Sequence, residues 1–252
     1  MDAQTAEKLI QLNNDFYQQH GSSFAATRLS PWAGWQQCLD FLMNADDFSG
    51  QAFSVLDLAC GNLRFARFLF AALAKSQITY FAVDNNPSAV PEMSSVNYQN
   101  LDILRVLLDN LPLGNQLEAP LCDLSLAFGF LHHIPGWQMR LTLLESLIQQ
   151  TRCSGYVLVS FWQFMSNPQL AAKAHDTHHQ ALAELGSLAL DENDYLLGWQ
   201  NTPGAYRYCH SFTDYEIDRL IDSLTGQARL LQRFSADGRT GDLNSYLVLQ
   251  VL

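Results

Sequence analysis

The sequence predicts an α/β fold with a doubly wound, mostly parallel sheet, and three observations support this prediction. Short apolar runs typical of strands buried on both faces alternate with segments whose apolar residues recur at helical spacing. The clearest strand runs through a tight turn directly into a helix. The 252 residues, 48% of them hydrophobic, suffice for one domain with a sizeable core, so we expect a single domain over 1–252.

The strand, turn and helix lie in F-S-V-L-D-L-A-C-G-N-L-R-F-A-R-F-L, residues 53–69. The apolar run is interrupted only by Asp57, and the turn at Gly61 and Asn62 tolerates close approach of a ligand to the backbone. Leu63 and Phe65 begin the helical pattern. Open α/β sheets bind ligands in the crevice at the carboxyl ends of such strands, so we expect a site here.

Two aspartates follow the next strands. The run I-T-Y-F-A-V ends in Asp84, 23 positions after Gly61, and Asp102 lies beyond a short strand predicted at 96–98. A carboxylate about 20 residues past a glycine turn can accept hydrogen bonds from ribose hydroxyls. An isolated aspartate is more often a solvated or helix-capping residue, but three at strand ends favour a nucleoside site. A dinucleotide site is disfavoured because G-x-G-x-x-G is absent.

Helices are predicted at the N-terminus. The first spans 4–19 and ends before Gly21; the second spans 31–43, with Ser30 as N-cap and Pro31 as its first residue. Together, residues 1–45 are interpreted as a helical lid. Arg28 and Trp32 belong to this segment. If they do not contact a ligand, Arg28 is expected to form an ion pair on the surface and Trp32 to pack in the core.

The second half continues the alternation. We predict strands at 123–130 and 155–162, helices at 137–150, 170–185 and 214–224, and an antiparallel pair at 228–234 and 246–252. Thr213 and Glu216 form a capping-box pattern. His175, His178 and His179 are expected to be solvent-exposed, because no carboxylate or thiolate joins them at a metal-binding spacing.

Charge and cysteine content limit the classes of protein to which this chain can belong. Fourteen basic and 25 acidic residues give a net charge of −11, which opposes nucleic-acid binding, although residues 201–240 carry five arginines against five acids. No apolar run reaches 18 residues, and the N-terminus is unlike a signal peptide, so a cytoplasmic protein without membrane contact is expected. Five scattered cysteines without C-x-x-C predict no metal site.

The D-L-A-C-G-N segment resembles motif I of the class I S-adenosylmethionine-dependent methyltransferases. Gly61 matches the central glycine, whereas Ala59 and Leu63 replace the outer two. The resemblance implies a seven-stranded Rossmann-like sheet, S-adenosylmethionine as cofactor, S-adenosylhomocysteine as product and no metal. It implies cofactor contacts at Arg28, Trp32, Asp57, Ala59, Gly61, Asn62, Asp84, Asn85, Asp102, Ile103, Phe128 and Gly129.

Further segments resemble the tRNA wobble-uridine carboxymethyl methyltransferases. These are F-A-A-T-R-L-S-P-W at 24–32, D-Y-L-L-G-W at 194–199, R-Y-C-H-S-F-T-D-Y-E-I at 207–217 and a histidine pair at 132–133. Gly198 stands where that family has proline. The chain also contains an inserted helical segment near 166–200, of which residues 166–193 have no counterpart in that family. The resemblance implies a carboxylate acceptor on tRNA and a possible small activating subunit. We also expect a substrate-side insertion over 166–225 and no DNA partner.

The requirements of methyl transfer to a carboxylate suggest which residues contact the acceptor. A carboxylate is already nucleophilic at neutral pH, so positioning and water exclusion must supply the rate, and Arg207 can hold the carboxylate in a bidentate fork. His210 and His132 complete the predicted catalytic residues; Phe130, His133 and Tyr208 are predicted to contact substrate. The alternative is that R-Y-C-H only packs ahead of the capped helix. For a hydroxyl or amine acceptor, His132 or His133 would assist deprotonation.

Two other functions fit the sequence. The acidic charge favours a small-molecule O- or N-methyltransferase over an RNA enzyme. A protein of another class would bind S-adenosylmethionine as a regulatory or partner subunit without transferring methyl groups.

Overall fold

The computed structural model describes residues 1–27, 30–44, 52–86, 93–186 and 188–252. Within them, the helices are α1 (Ala3–Ala26), α2 (Ala33–Asn44), α3 (Arg64–Ala72), α4 (Ile103–Leu108), α5 (Trp137–Gln149), α6 (Pro168–Leu185) and α7 (Asp214–Ser223). The strands are β1 (Ala52–Leu58), β2 (Gln77–Asp84), β3 (Val96–Asn100), β4 (Cys122–Ala127), β5 (Thr151–Trp162), β6 (Asp194–Gly198), β7 (Tyr206–His210), β8 (Ala228–Ala236) and β9 (Asn244–Val251).

Seven strands form one sheet in the order β3-β2-β1-β4-β5-β9-β8. The pairs from β3 to β5 are all parallel, whereas β9 runs antiparallel to both β5 and β8. The doubly wound, mostly parallel seven-stranded sheet predicted for the chain is therefore confirmed. The chain reverses its direction of winding at β1 and β4, which places a crevice at their carboxyl ends.

Strand β1 shows why its apolar run is almost continuous. Phe53 and Val55 pack in one hydrophobic cluster with α2 and α3, and Leu56 and Leu58 pack in another with α4, α5 and α7. Because alternate side chains point to opposite faces, a strand covered by helices on both sides needs apolar residues at nearly every position.

The first helix is longer than the sequence predicted. It runs through Gly21 and ends at Ala26, and Gly21 is buried. A glycine inside a helix lowers helix stability by about 1 kcal/mol relative to alanine. However, the last turn of α1 packs against the hairpin segment, where the ring centres of Phe24 and Trp199 are 5.1 Å apart. Tertiary packing therefore extends the helix. The second helix begins at Ala33, two residues after the predicted start at Pro31.

The insertion contains more than the predicted helix. After α6, strands β6 and β7 form an antiparallel hairpin that is separate from the main sheet, and neither strand was predicted from the sequence. Leu196 and Tyr206 of this hairpin pack with Leu9 of α1 and Ala181 of α6. The N-terminal helix, α6 and the hairpin thus share one small hydrophobic cluster.

The C-terminal elements match their predictions closely. Thr213 and Glu216 form the reciprocal capping box at the start of α7. Strands β8 and β9 form the antiparallel pair, each with bounds that differ by a few residues from the prediction. None of the helices that the structure describes combines the length and apolar character needed to cross a membrane.

Candidate active site

A cavity of about 600 Å³ opens at the carboxyl ends of β1, β2 and β4. The predicted cofactor residues that line it are Trp32, Asp57, Ala59, Gly61, Asn62, Asp84, Asn85, Asp102, Ile103, Phe128 and Gly129. The predicted acceptor residues that line it are Phe130, His132, His133 and Arg207. Arg28 lies outside the described residues. The fold therefore brings residues from distant parts of the sequence to one cavity.

The turn after β1 is joined to the end of β2 by the carboxylate of Asp84. Its Oδ2 accepts a hydrogen bond from the Gly61 N–H at 2.9 Å, and its Oδ1 accepts one from the Asn86 N–H at 2.9 Å. Burial raises the pKa of the Asp84 carboxyl, and these backbone hydrogen bonds act in the opposite direction. A Cβ at Gly61 would meet no atom within 4 Å, so the backbone here faces open space.

Three residues of this turn share the left-handed backbone conformation. The φ angles are 59° at Ala59, 53° at Gly61 and 57° at Leu63. These are the positions at which motif I alternates glycines, because glycine adopts positive φ without steric cost. The turn therefore keeps its shape although Ala59 and Leu63 have replaced two of the glycines.

The Asp57 side chain connects β1 to β2 just before this turn. Its Oδ2 accepts a hydrogen bond from the Tyr80 hydroxyl at 2.6 Å, and the residue is 3% exposed. Burial raises the pKa of the Asp57 carboxyl to about 7, and the Tyr80 hydrogen bond counteracts part of that effect. This carboxylate thus connects β1 to β2 while one side of the residue faces the cavity.

Asn14 of α1 connects this helix to the residues that follow β2 and β3. Its Nδ2 donates to Asp102 Oδ2 at 3.0 Å, and its Oδ1 accepts from Asn85 Nδ2 at 3.0 Å. Asp102 also caps α4 by accepting from the Arg105 N–H at 3.0 Å. These bonds hold the middle of α1 beside Asn85 and Asp102, and all three residues line the cavity.

Tryptophan side chains form the opposite wall. The Trp32 ring covers Gly129 so closely that a Cβ there would lie 2.8 Å from Cη2 of Trp32. The guanidinium of Arg64 lies 5.2 Å from the Trp32 ring and 5.1 Å from the Trp35 ring, and it also lines the cavity. Burial lowers the pKa of Arg64. Arg64 is thus a cavity cation that the sequence analysis did not identify.

Arg207 is enclosed by aromatic rings at the other end of the cavity. Its guanidinium carbon lies 5.3 Å from the Phe16 ring centre, 4.7 Å from that of Phe24 and 5.9 Å from that of Trp199. The residue is 6% exposed, and its Nε and Nη1 have no hydrogen-bond partner among the described residues. A buried guanidinium of this kind is suited to bind an anion.

His132 and His133 also line the cavity. Both are buried, with ring centres 4.0 Å apart. The Nε2 of His133 lies 2.8 Å from the Tyr17 hydroxyl, and its Nδ1 lies 3.2 Å from the Tyr208 carbonyl oxygen. Cys209 lies behind them, its Sγ 3.9 Å from His133 Nδ1. The sequence predicted no metal site, yet this trio has the donor atoms of one.

Tyr208 and His210 do not line the cavity. The Tyr208 hydroxyl donates to Asp194 Oδ1 at 2.7 Å, and His210 Nδ1 lies 2.8 Å from the same oxygen. His210 Nε2 lies 2.9 Å from Glu216 Oε1, and Arg140 Nη2 pairs with Asp194 at 3.3 Å. These contacts fix β7 and thereby position Arg207; the structure gives neither residue access to the cavity.

Two of the cavity residues on α1, Gly21 and Phe24, lie beyond the helix predicted at 4–19, and the sequence also gave no sign that Asn14 and Tyr17 face a cavity. Asn14, Tyr17, Gly21 and Phe24 all line the cavity and lie three or four positions apart, so they share one face of the full-length helix. Extending the helical period beyond Gly21 would have identified this face. The sequence offered no comparable signal for Trp162 or Asp237, which reach the cavity from β5 and the β8–β9 turn.

The comparisons with known proteins agree with this architecture. No family model and no curated protein matches the chain. A solved S-adenosylmethionine-dependent methyltransferase from Methanosarcina mazei is similar at a TM-score of 0.57 and 14% identity, covering 82% of this chain and 96% of the other. The 1,6-didemethyltoxoflavin-N1-methyltransferase of Burkholderia thailandensis was crystallised with its substrate and S-adenosylhomocysteine. It is similar at a TM-score of 0.57 and 15% identity, covering 96% of this chain and 87% of the other.

A third similar structure, the complex of DhpI with S-adenosylhomocysteine, has a TM-score of 0.58 and 13% identity over 96% of this chain and 97% of the other. The chain therefore has the fold of the class I S-adenosylmethionine-dependent methyltransferases.

Proposed function

We propose that this chain transfers a methyl group from S-adenosylmethionine to a carboxylate oxygen of an acceptor held by Arg207. The observation that carries the acceptor assignment is the buried guanidinium of Arg207, with Nε and Nη1 unpaired among the described residues. An uncompensated buried charge is unfavourable, so an anionic ligand group is its natural partner. A planar guanidinium fits a carboxylate through two parallel hydrogen bonds.

The cofactor assignment is supported by the fit of the turn at Gly61. The open space beside Gly61 leaves room for a ligand against the backbone, and the Asp84 carboxylate lies at the same wall. Each Asp84 oxygen accepts one backbone hydrogen bond and keeps a second lone pair, which suits the two ribose hydroxyls. In this proposal Asp102 and Ile103 lie beside the adenine.

Methionine-side contacts complete the cofactor assignment. Asn62, Phe128 and Gly129 line the same cavity and are assigned to the methionine part of the cofactor, and the Trp32 ring covers Gly129. When bound, S-adenosylmethionine supplies an electrophilic methyl group on a sulfonium.

This chain's residues contribute positioning rather than proton transfer. A carboxylate is ionised at neutral pH, so no base is needed, and Arg207 would aim one oxygen by binding the group rigidly. The rings of Phe16, Phe24 and Trp199 shield the guanidinium from water, which strengthens its interaction with the acceptor. For a hydroxyl or amine acceptor, His132 would instead take the proton.

We favour the carboxymethyl group of a modified tRNA wobble uridine as the acceptor. The supporting features are the F-A-A-T-R-L-S-P-W, D-Y-L-L-G-W and R-Y-C-H-S-F-T-D-Y-E-I segments, the last of which contains Arg207. The net charge of −11 requires that positive charge for RNA binding come from elsewhere, and a small activating subunit would supply it.

The second candidate is methylation of a free small-molecule acid. It is favoured by the acidic charge and by the small-molecule substrate named for the toxoflavin methyltransferase. Both candidates use the same cavity and the same contact to Arg207.

Labelled S-adenosylmethionine distinguishes these candidates. The protein is incubated with alkali-treated bulk tRNA, in which esters are hydrolysed to carboxylates, and in parallel with a small-metabolite extract. Label in RNA that mild base releases as volatile methanol supports the tRNA acceptor. The same release from the small-molecule fraction supports a free acid. Base-stable label contradicts a carboxylate acceptor, and cofactor binding without S-adenosylhomocysteine formation supports a regulatory role.

A further inference from the structure

Three buried side chains with metal-ligating atoms come together behind the acceptor end of the cavity. His132 and His133 follow β4, and Cys209 lies on β7, more than 70 residues later in the chain. One donor atom from each lies within 4.8 Å of the other two. The exposed fractions are 9%, 7% and 0%, so bulk water competes little for these atoms.

The distances between these donor atoms are close to those between the ligands of a bound metal ion. In a tetrahedral zinc site with Zn–N near 2.1 Å and Zn–S near 2.3 Å, neighbouring donor atoms are about 3.3 to 3.8 Å apart. The distance from Cys209 Sγ to His133 Nδ1 is 3.9 Å. Small rotations of the three side chains therefore suffice to bring the donors to a shared ion.

The donor set selects the kind of ion. Two imidazoles and one thiolate suit Zn²⁺ and similar transition metals, whereas Mg²⁺ and Ca²⁺ prefer oxygen ligands. Three protein ligands also leave a fourth position open. Both imidazoles line the cavity while Cys209 lies behind them, so that open position would face the cavity.

The surroundings of His133 suit a ligand histidine. Its Nε2 lies 2.8 Å from the Tyr17 hydroxyl, so an Nε2–H could donate to Tyr17 while Nδ1 binds the ion. In the other tautomer, Nδ1–H donates to the Tyr208 carbonyl at 3.2 Å, and loading of the ion would replace that contact. Metal binding therefore selects one tautomer of an already ordered ring.

The position of Arg207 indicates what role such an ion would have. Arg207 and Cys209 are two residues apart on β7 and so share a face of the strand, about 7 Å apart along it. The Cys209 thiolate would offset part of the ion's charge beside the guanidinium. An ion at this position and the guanidinium would bracket an anionic acceptor.

We propose that His132, His133 and Cys209 bind one Zn²⁺-class ion at the acceptor end of the cavity. Co²⁺ is the probe, because thiolate-bound Co²⁺ shows a charge-transfer band and tetrahedral Co²⁺ shows visible d–d bands. The reduced, chelator-treated protein is titrated with Co²⁺ and then with Zn²⁺. We expect one equivalent with both features, bleached by Zn²⁺. No thiolate band in this protein overturns the proposal.

Variants locate the ion. Cys209→Ser should abolish the charge-transfer band, and Cys38→Ser, a control at a buried cysteine in a different cluster, should keep it. His132→Gln should weaken Co²⁺ binding at least tenfold. Circular dichroism verifies that each variant is folded. If Cys209→Ser does not fold, His132→Gln decides: unchanged affinity overturns the site. These readouts are independent of methyl transfer.

Discussion

The backbone N–H of Gly61 donates a 2.9 Å hydrogen bond to Oδ2 of Asp84, which joins the turn after β1 to the end of β2. Both residues line the same cavity. The bond orients the carboxylate without using all of its lone pairs, so Asp84 is held in place for a ligand. The proposed cofactor site depends on this pairing.

Replacing Asp84 with alanine should weaken S-adenosylmethionine binding by about 1.5 to 3 kcal/mol, because hydrogen bonds from a charged acceptor are lost. Titration calorimetry measures the change. Asp109→Ala, which removes an exposed carboxylate paired with Arg105, is the matched control and should leave the affinity unchanged. An unaltered isotherm for the Asp84 variant would contradict the ribose assignment.

Replacing Arg207 with methionine should lower kcat/KM for the acceptor by a factor of 30 or more, since losing a buried charge pair costs about 2 to 5 kcal/mol. The methionine keeps the apolar contacts with Phe16 and Phe24. It also removes a buried guanidinium whose Nε and Nη1 have no hydrogen-bond partner in the described part of the chain, so the free energy of unfolding should be unchanged or higher.

Arg219→Met, on the exposed face of α7, is the control for Arg207. Cofactor affinity should be the same in the wild type and in both variants. A parallel loss of cofactor binding in the Arg207 variant would show that this residue serves the cofactor and not the acceptor.

Replacing Ala59 with glycine should raise the free energy of unfolding by about 0.5 to 1 kcal/mol, because the left-handed backbone at φ 59° is strained for alanine. Ala59→Val should lower it, since a β-branched side chain tolerates this region still less. Urea unfolding measures both changes. A glycine variant less stable than the wild type would show that the alanine methyl group contributes more than the strain.

Asp57 makes stability depend on pH. Its pKa is raised to about 7 in the folded protein, so between pH 4 and 7 the folded state binds more protons than the unfolded state, and stability falls as pH rises through that window. In Asp57→Asn the loss of stability between pH 5 and pH 8 should shrink by about 1 to 3 kcal/mol. Equal pH dependence of urea unfolding in both proteins would exclude this origin.

The sheet could be predicted from the sequence because its signals are local. The apolar run before Asp57, the turn at Gly61 and the capping box at Thr213 each lie within one short segment. The turn residue Leu63 adopts the glycine-like conformation even though its identity does not indicate it. Motif position, rather than residue type, was the informative signal there.

Other features depend on contacts between distant segments. Strands β6 and β7 pair with each other outside the main sheet and pack on α1, and no periodicity in the sequence indicates that pairing. The same packing carries α1 through Gly21. Cys209 joins the histidine pair only because β7 folds against the turn after β4, so a search by spacing could not find it.

The ring of aromatic groups around Arg207 has a consequence for the order in which the protein acquires its parts during synthesis. Phe16 and Phe24 leave the ribosome before Trp199 and Arg207, which follow at least 175 residues later in the chain. Contacts so far apart in sequence form slowly. In the nascent polypeptide, the turn at Gly61 can therefore form before the aromatic rings close around Arg207.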